Sequence, residues 1–297
     1  MKNFSLITTA LFFAIVLVST RGDFLPRQDL KMRSSPSEVN VLNRRFPIRL
    51  EGHRGAGDLE KENTLQAFKR AIEIGLDGVE IDIWLTKDKV PVVVHGAPGG
   101  WVEFMNGKFN ISKINHEDLE SLLLKNGERI LSLEEVLDVC KDKITLNIEF
   151  KDPNEEIVGI TLGLIQERNM LKQVTFSAFH HFLRNTLAEE VVKRGIRVPI
   201  SFGFLSNVYQ PRFPAYEDTF PGDALNIDVR FLRQNRERCV KEILKAKENF
   251  VDVKIWFPLY YVEKDLHYDE FMDLGVDTVI TNNPFKGMNY FKSTIKA

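Results

Sequence analysis

From Pro47 onward, short apolar runs rich in Val and Ile alternate with stretches of helical spacing. Nine such runs predict strands, and they lie near residues 48–54, 78–85, 90–96, 144–150, 173–179, 197–205, 224–232, 251–257 and 277–281. Strands and helices that alternate over about 240 residues indicate a parallel α/β sheet, and this length is typical of a single TIM (β/α)8 barrel. A doubly wound open sheet is the alternative.

Helix start and stop signals support this alternation. Residues 62–74 have helical spacing and are followed by Gly75, a residue type that commonly ends a helix. Ser132 and Glu135 have the spacing of a capping box, in which each side chain accepts a hydrogen bond from the backbone of the other residue. We therefore expect helices to cover the sheet between the strands.

Two irregularities interrupt the expected barrel. The sequence predicts nine strands, whereas a TIM barrel has eight. In addition, the gap between Trp84 and Val90 is too short for a helical crossover. One run is therefore predicted to be a hairpin arm or an extension. Residues 97–129 are too long for an ordinary connection, so we predict an insertion after the third strand, of a length that usually covers a site.

The chain before Pro47 lacks the alternation of strands and helices. Lys2 precedes an apolar stretch at 6–18, and small residues follow as far as Gly22, as in a secretory signal. The predicted organisation is a secretory signal peptide at 1–22, an N-terminal arm at 23–46 and one TIM-barrel domain at 47–297. We expect a secreted protein, or one in the lumen of the secretory pathway, with no stable membrane span in the mature form. An uncleaved N-terminal signal anchor is the alternative.

The charge of the chain argues against one class of partner, and its cysteine content bears on disulfide formation. The chain has 40 Lys and Arg residues against 42 Asp and Glu residues, a formal net charge of -2, and no run of basic residues. No nucleic-acid partner is expected, because binding to a phosphate backbone requires a clustered basic surface. Cys140 and Cys239 are compatible with one disulfide or with two buried free thiols.

Polar residues occupy one face of the second predicted strand. Glu80 and Asp82 are two residues apart, so both carboxylates point to the same side of the strand. A divalent cation with oxygen ligands would relieve the repulsion between them. Glu149, in the similar run at 144–150, is a third candidate ligand. The alternative is an exposed edge strand with a polar face.

Histidines and basic residues lie at the ends of the same runs. His53 and Arg54 end the first run, His95 ends the third, and Lys151 follows Glu149. TIM-barrel enzymes place their catalytic groups at the carboxyl ends of the barrel strands. Cleavage of a phosphodiester requires positive charge at its non-bridging oxygens, a base and an acid, and residues of all these types are present. The sequence therefore predicts a phosphodiesterase.

Six short motifs resemble those of the glycerophosphodiester phosphodiesterase family. They are His53-Arg54-Gly55, Glu62-Asn63-Thr64, Glu80-Ile81-Asp82, Thr86-Lys87-Asp88, Val93-Val94-His95 and Glu149-Phe150-Lys151. Their order and approximate spacing are similar to those of the family, and the resemblance extends over residues 47–290. It implies a TIM barrel with an insertion after the strand that carries the second histidine.

The resemblance also implies roles for individual residues. Glu80, Asp82 and Glu149 would bind a calcium or magnesium ion, and His53 and His95 would act as base and acid. Arg54 and Lys151 would contact the phosphate, and Trp256 would form an aromatic wall on the glycerol side. For Trp256, packing in the core is the alternative. The expected substrate is a small glycerophosphodiester, hydrolysed to an alcohol and sn-glycerol 3-phosphate. Either water or a neighbouring hydroxyl of the substrate is the nucleophile.

Departures from the family pattern leave other functions open. Gly96 stands where an aspartate usually follows the second histidine, so a catalytically impaired phosphodiester-binding relative is one alternative. Asn282 belongs to a closing T-N-N-P where T-D-x-P is common, and we expect this change to alter the substrate end of the rim. A lysophospholipase D that cleaves lysolipids with the same site is the other alternative. Its acyl chain would contact the apolar side chains of the insertion, namely Trp101, Phe104, Met105 and Phe109.

Overall fold

The computed structural model describes residues 47–209, 211–220, 222–259 and 261–294. The predicted signal peptide and N-terminal arm lie outside these residues. Within the described part of the chain, no helix combines the length and the apolar character needed to span a bilayer.

The strands form a closed barrel with a short antiparallel extension. They are β1 (Arg49–Gly52), β2 (Gly78–Leu85), β3 (Pro91–Val93), β4 (Trp101–Phe104), β5 (Gly107–Asn110), β6 (Leu131–Ser132), β7 (Thr145–Phe150), β8 (Val174–Ala178), β9 (Phe202–Ser206), β10 (Ala224–Asp228), β11 (Asp252–Trp256) and β12 (Thr278–Thr281). Eight of them are parallel neighbours in the order β1-β12-β11-β10-β9-β8-β7-β2, and the pairing of β1 with β2 closes the ring. The predicted TIM barrel is confirmed.

All but the second of the helices connect or follow the barrel strands and pack against them. The helices are α1 (Leu65–Ile74), α2 (His116–Glu120), α3 (Leu133–Cys140), α4 (Glu156–Glu167), α5 (Leu183–Lys193), α6 (Val229–Gln234), α7 (Arg236–Glu248), α8 (Asp265–Asp273) and α9 (Pro284–Thr294). The sequence signals act as expected: Gly75 ends α1 with a φ of 77°, and Ser132 and Glu135 form both bonds of a capping box on α3. Cys140 and Cys239 are buried free thiols, which decides between the two alternatives for the cysteines.

The third apolar run is the hairpin arm that the strand count requires. β3 pairs antiparallel with the end of β2, with Val93 opposite Ile83, and β6 continues this extension. The expectation that His95 ends a barrel strand is therefore wrong, because β3 is not one of the eight parallel strands. The backbone amide of Val94 instead donates to the carbonyl of Asp82 at 3.0 Å, which places His95 beside the carboxyl end of β2.

The insertion at 97–129 is a small subdomain with a core of its own. It contains the β4–β5 hairpin and α2, and Val102, Phe104 and Ile111 pack against Trp84. Met105, at the hairpin tip, is 69% exposed. The aromatic side chain of Phe104 thus serves the subdomain's own packing.

Candidate active site

All eight residues proposed from the sequence line one cavity at the carboxyl end of the barrel. They are His53, Arg54, Glu80, Asp82, His95, Glu149, Lys151 and Trp256. The cavity encloses about 420 Å³, including its open mouth, and Ser177, Phe179, Leu205 and Ile280 complete its described lining. Among the described residues, this lining comes from the barrel strands and their connections and none of it from the insertion.

Three carboxylates converge at one wall of this cavity. Glu80 and Asp82 lie on β2, and Glu149 lies on the neighbouring β7, directly opposite Asp82 in the strand register. Their side-chain oxygens lie within 4.8 Å of one another, and all three residues are buried. The alternation of β2 explains the placement, since Val79, Ile81 and Ile83 point away from the barrel axis and pack in the core.

The electrostatics of this cluster fit a divalent cation. Burial raises the pKa of Glu80 well above its ordinary value, and the charges of Asp82 and Glu149 raise it further. Burial also acts to raise the pKa of Asp82, but Lys151 and Arg54 hold it below its usual range. The Glu80 Oε1 atom is buried and has no hydrogen-bond partner among the described residues. Crowded carboxylates with an unpartnered oxygen are the donor set that a hard cation such as Ca²⁺ or Mg²⁺ binds.

Two basic side chains contact the same carboxylates. Lys151 Nζ lies 2.9 Å from Glu149 Oε1 and 3.6 Å from Asp82 Oδ1. Arg54 Nε lies 3.4 Å from Asp82 Oδ2. Burial acts to lower the pKa of Lys151, but Glu149 and Asp82 raise it above its ordinary value, so the ammonium stays charged. These residues supply fixed positive charge at the cavity wall.

The Glu62-Asn63-Thr64 triplet, to which the sequence assigned no role, supports this arrangement. Glu62 Oε2 accepts from Arg54 Nη1 at 2.6 Å, and Asn63 Nδ2 donates to Asp82 Oδ2 at 3.2 Å. Thr64 caps the following helix by accepting from the backbone amide of Ala67. The triplet thus orients one cation and one carboxylate and then begins α1. The motif marked these three residues as functional, but only the fold shows what each of them contacts.

The two histidines line the same cavity as the three carboxylates. His53 follows β1, and its Nε2 lies 3.9 Å from Glu80 Oε2. Burial lowers the pKa of His53 to about 4, with a further contribution from Arg54. Burial likewise lowers the pKa of His95 to about 3, and Lys151 contributes to this shift. At neutral pH both rings are uncharged, the state in which an imidazole can accept a proton.

Trp256 forms an aromatic wall together with Phe179, a residue that the sequence did not single out. The two rings are edge to face, with centroids 6.3 Å apart, at the ends of β11 and β8. The indole Nε1 of Trp256 is buried and has no hydrogen-bond partner in the described chain. Because an indole N–H is a donor only, it is available to an oxygen of a bound molecule. Trp256 is therefore part of the cavity and not only of the core.

Asn282 lies behind His53, and the residue is only 2% exposed. The effect expected from the sequence, at the substrate end of the rim, stays a prediction. The Oδ1 atom of Asn282 is 2.7 Å from His53 Nδ1. No sequence pattern indicates this contact, because the two residues are 229 positions apart.

Comparison with known proteins gives a consistent result. Residues 53–188 match the model of the glycerophosphoryl diester phosphodiesterase family. A glycerophosphodiester phosphodiesterase of Caldanaerobacter subterraneus is 29% identical over 244 residues, which cover 78% of this chain and 93% of that protein. A human lysophospholipase D is 26% identical over 316 aligned positions, covering 94% of this chain and 96% of that protein. A crystal structure from Galdieria sulphuraria, provisionally assigned as a glycerophosphodiester phosphodiesterase, has a TM-score of 0.68 at 25% identity. The alignment covers 82% of this chain and 98% of the Galdieria chain.

Proposed function

The chain belongs to the glycerophosphoryl diester phosphodiesterase family and is a phosphoric diester hydrolase, and we propose that it cleaves glycerophosphodiesters to an alcohol and sn-glycerol 3-phosphate. The observation that carries this proposal is the cavity itself. Within it, three buried carboxylates, two imidazoles and two basic side chains surround a space open to solvent. This set contains a group for each requirement of phosphodiester hydrolysis.

The proposed roles follow from the chemistry of each side chain. Arg54 and Lys151 bind the non-bridging oxygens of the phosphodiester, because both are charged and lie at the cavity wall. His53 removes the proton from the nucleophile, and His95 protonates the departing alkoxide. Trp256 donates its indole N–H to an oxygen on the glycerol side of the substrate.

Glu80, Asp82 and Glu149 are the proposed ligands of a divalent cation, either Ca²⁺ or Mg²⁺. When bound, such a cation supplies positive charge to the phosphate oxygens during the reaction. Flexible oxygen coordination favours Ca²⁺, whereas Mg²⁺ demands near-ideal octahedral geometry and keeps several waters. A metal-exchange series distinguishes them.

The test is a hydrolysis assay on glycerophosphocholine with chelated protein and with added Ca²⁺ or Mg²⁺. We expect activity only with metal, and we expect Glu80→Gln to lower it more than about 100-fold, because even groups that merely support metal ligands contribute 10- to 100-fold. Glu103→Gln is the matched control, since Glu103 is exposed on the insertion and pairs with Lys125. Equal activity in chelator, or full activity of Glu80→Gln, contradicts the proposal.

Lysophospholipase D activity is the second candidate, favoured by the human lysophospholipase D that aligns with 94% of this chain. The structure weakens the predicted acyl site in the insertion, because Phe104 is buried in the insertion's own core. Exposed apolar groups remain at Trp101 and Met105. Parallel assays of glycerophosphocholine and lysophosphatidylcholine separate the two activities. A higher kcat/KM for the lysolipid would identify the chain as a lysophospholipase D.

A further inference from the structure

The two histidines of the site are held in different ways. The His53 ring is fixed by the 2.7 Å contact between its Nδ1 and Asn282 Oδ1. His95 is held through its backbone, where its carbonyl accepts a hydrogen bond from Trp84 Nε1 at 3.1 Å. The structure thus fixes the direction of the His53 ring through a side chain that comes from the turn after β12.

Hydrogen bonds determine which way the amide of Asn282 faces. Its Nδ2 donates to the carbonyl oxygens of Phe257 and Pro258, at 3.1 and 2.9 Å. Carbonyl oxygens only accept, so the nitrogen end of the amide must face them and the oxygen end must face His53. An amide oxygen also only accepts. The Nδ1 atom of His53 is therefore the donor in this contact.

Backbone contacts prevent the turn from shifting. The amide of Asn282 donates to Glu263 Oε1 at 2.7 Å, and the Thr281 hydroxyl bonds to the same buried carboxylate. On the other side, the amide of Asp58 donates to the carbonyl of Asn282 at 2.6 Å. A Cβ on Gly57 would lie 2.3 Å from that carbonyl oxygen, so the two segments are packed as closely as a glycine permits.

We propose that Asn282 is a positioning residue that holds neutral His53 with its proton on Nδ1, which leaves the Nε2 lone pair facing the carboxylate cluster. The Nε2 atom is 3.9 Å from Glu80 Oε2, beyond hydrogen-bond distance, so this nitrogen is free to accept a proton from a nucleophile. The opposite tautomer would place two acceptors 2.7 Å apart. The consequence for catalysis rests on the proposed function, but the tautomer of His53 does not.

The direct test is ¹⁵N NMR of protein labelled on its histidine rings. At about pH 8, above the ordinary imidazole pKa of about 6.5, the shifts of the two ring nitrogens report which one carries the proton. The signals of His53 are identified by their loss in His53→Gln. We expect the wild-type ring to be protonated on Nδ1. Protonation on Nε2 overturns the proposal, whatever any variant does.

Two substitutions at Asn282 then separate positioning from folding. Asn282→Leu is similar in volume and has no acceptor, so we expect mixed tautomers and a fall in kcat of at least about 10- to 100-fold. Asn282→Asp keeps an acceptor oxygen for His53 Nδ1 but loses the donor to the carbonyls of Phe257 and Pro258, so we expect it to be less stable than the wild type. We still expect it to keep the Nδ1 proton and to be at least about tenfold more active than Asn282→Leu. Asn283→Ala is the control, because this neighbouring exposed amide accepts from the backbone of Lys286 instead.

The outcomes are distinguishable from a failure of the proposed function. If the wild-type enzyme hydrolyses no glycerophosphodiester, the proposed function fails, while the ring spectrum still decides the role of Asn282. If Asn282→Leu is folded by circular dichroism but retains the Nδ1 proton and normal kcat, the positioning role is wrong. If Asn282→Leu does not fold, the wild-type spectrum and Asn282→Asp decide.

Discussion

At the residue scale, Lys151 has the largest charge effect on Asp82 and Glu149. It contacts both Glu149 and Asp82, and its side chain is 15% exposed. We predict that Lys151→Met lowers the free energy of unfolding by about 3–5 kcal/mol in chelator, because removing one partner leaves buried charge uncompensated. Urea denaturation measures this change. Addition of Ca²⁺ or Mg²⁺ should restore part of it, because a cation supplies the missing charge.

Lys89→Met is the matched control for this prediction. Lys89 is also paired with a carboxylate, that of Glu156, but both side chains are largely exposed. Surface pairs are worth at most about 1 kcal/mol, so Lys89→Met should change stability little and show no response to metal. Equal effects of the two substitutions would show that the contacts of Lys151 carry no more free energy than a surface pair.

Asp252 gives a second prediction at this scale, on the dependence of stability on pH. Burial raises the pKa of Asp252 to about 6, and the charge of Asp277 contributes. The folded state therefore binds this proton more tightly than the unfolded state, whose aspartate pKa is about 3.9. The stabilising effect of the proton is complete below about pH 4 and is lost as pH rises through about 6.

Asp252→Asn should accordingly stabilise the protein at pH 7 and not at pH 4. We expect a gain on the order of 1–2 kcal/mol at pH 7 in urea denaturation, less than the full shift because Asp252 is only partly buried. Asp118→Asn, at an exposed position in α2, is the control. A gain of the same size at both pH values would rule out proton linkage as its cause.

The same scale shows which site residues a sequence can reveal. Glu80 and Asp82 were predictable because charged groups at alternate positions of an apolar strand contradict the strand's own pattern. Asn282 was not, because its function depends on the direction of one amide. That direction is set by the carbonyls of Phe257 and Pro258 on a different strand connection.

At the element scale, the β2–β3 hairpin shows the limit of strand patterns. An apolar run predicts an extended segment but not whether it lies parallel or antiparallel to its neighbour. The short gap before Val90 was the available clue, and in the structure Thr86 closes this turn by accepting from the amide of Val90 at 2.9 Å. Of the nine predicted runs, one is this hairpin arm and the other eight are the barrel strands.

The same hairpin explains why glycine follows His95. Gly96 has a φ of 62°, and a Cβ there would lie 3.3 Å from Trp84 Nε1, the group that holds the carbonyl of His95. Restoring the common aspartate should therefore not improve the enzyme. We predict that Gly96→Asp lowers stability by about 1–2 kcal/mol through backbone strain and also lowers kcat by displacing Trp84.

Gly127→Asp separates strain from crowding in this prediction. Gly127 also has a positive φ, of 84°, but nothing lies within 4 Å of a Cβ at that position. It should lose stability by a similar amount and keep its kcat, as measured by urea denaturation and the glycerophosphocholine assay. If Gly96→Asp is as active as the wild type or more active, an aspartate does support His95 in this fold.

At the scale of the whole molecule, a cation bound at the carboxylate cluster would couple metal binding to the stability of the barrel. Its ligands lie on β2 and β7, and β2 also pairs with β1 to close the ring, so the cluster exists only in the closed barrel. A cation that binds only the folded state stabilises it by about 2.7 kcal/mol at a concentration of 100 times Kd. For a domain of this size, each kcal/mol raises Tm by about 2–4 °C.

We therefore predict that Ca²⁺ or Mg²⁺ raises the Tm of the wild-type protein by about 5–10 °C over its value in chelator. Glu149→Gln should lose most of this increase, because it lacks one ligand charge. In chelator, however, it should be no less stable than the wild type, since the remaining carboxylates repel less. Differential scanning calorimetry of both proteins and of Glu103→Gln, with and without metal, measures these changes. A wild-type Tm that is unchanged by either metal would show that the cluster binds neither ion, and the mutual repulsion of Glu80, Asp82 and Glu149 would then have to be balanced by Arg54 and Lys151 alone.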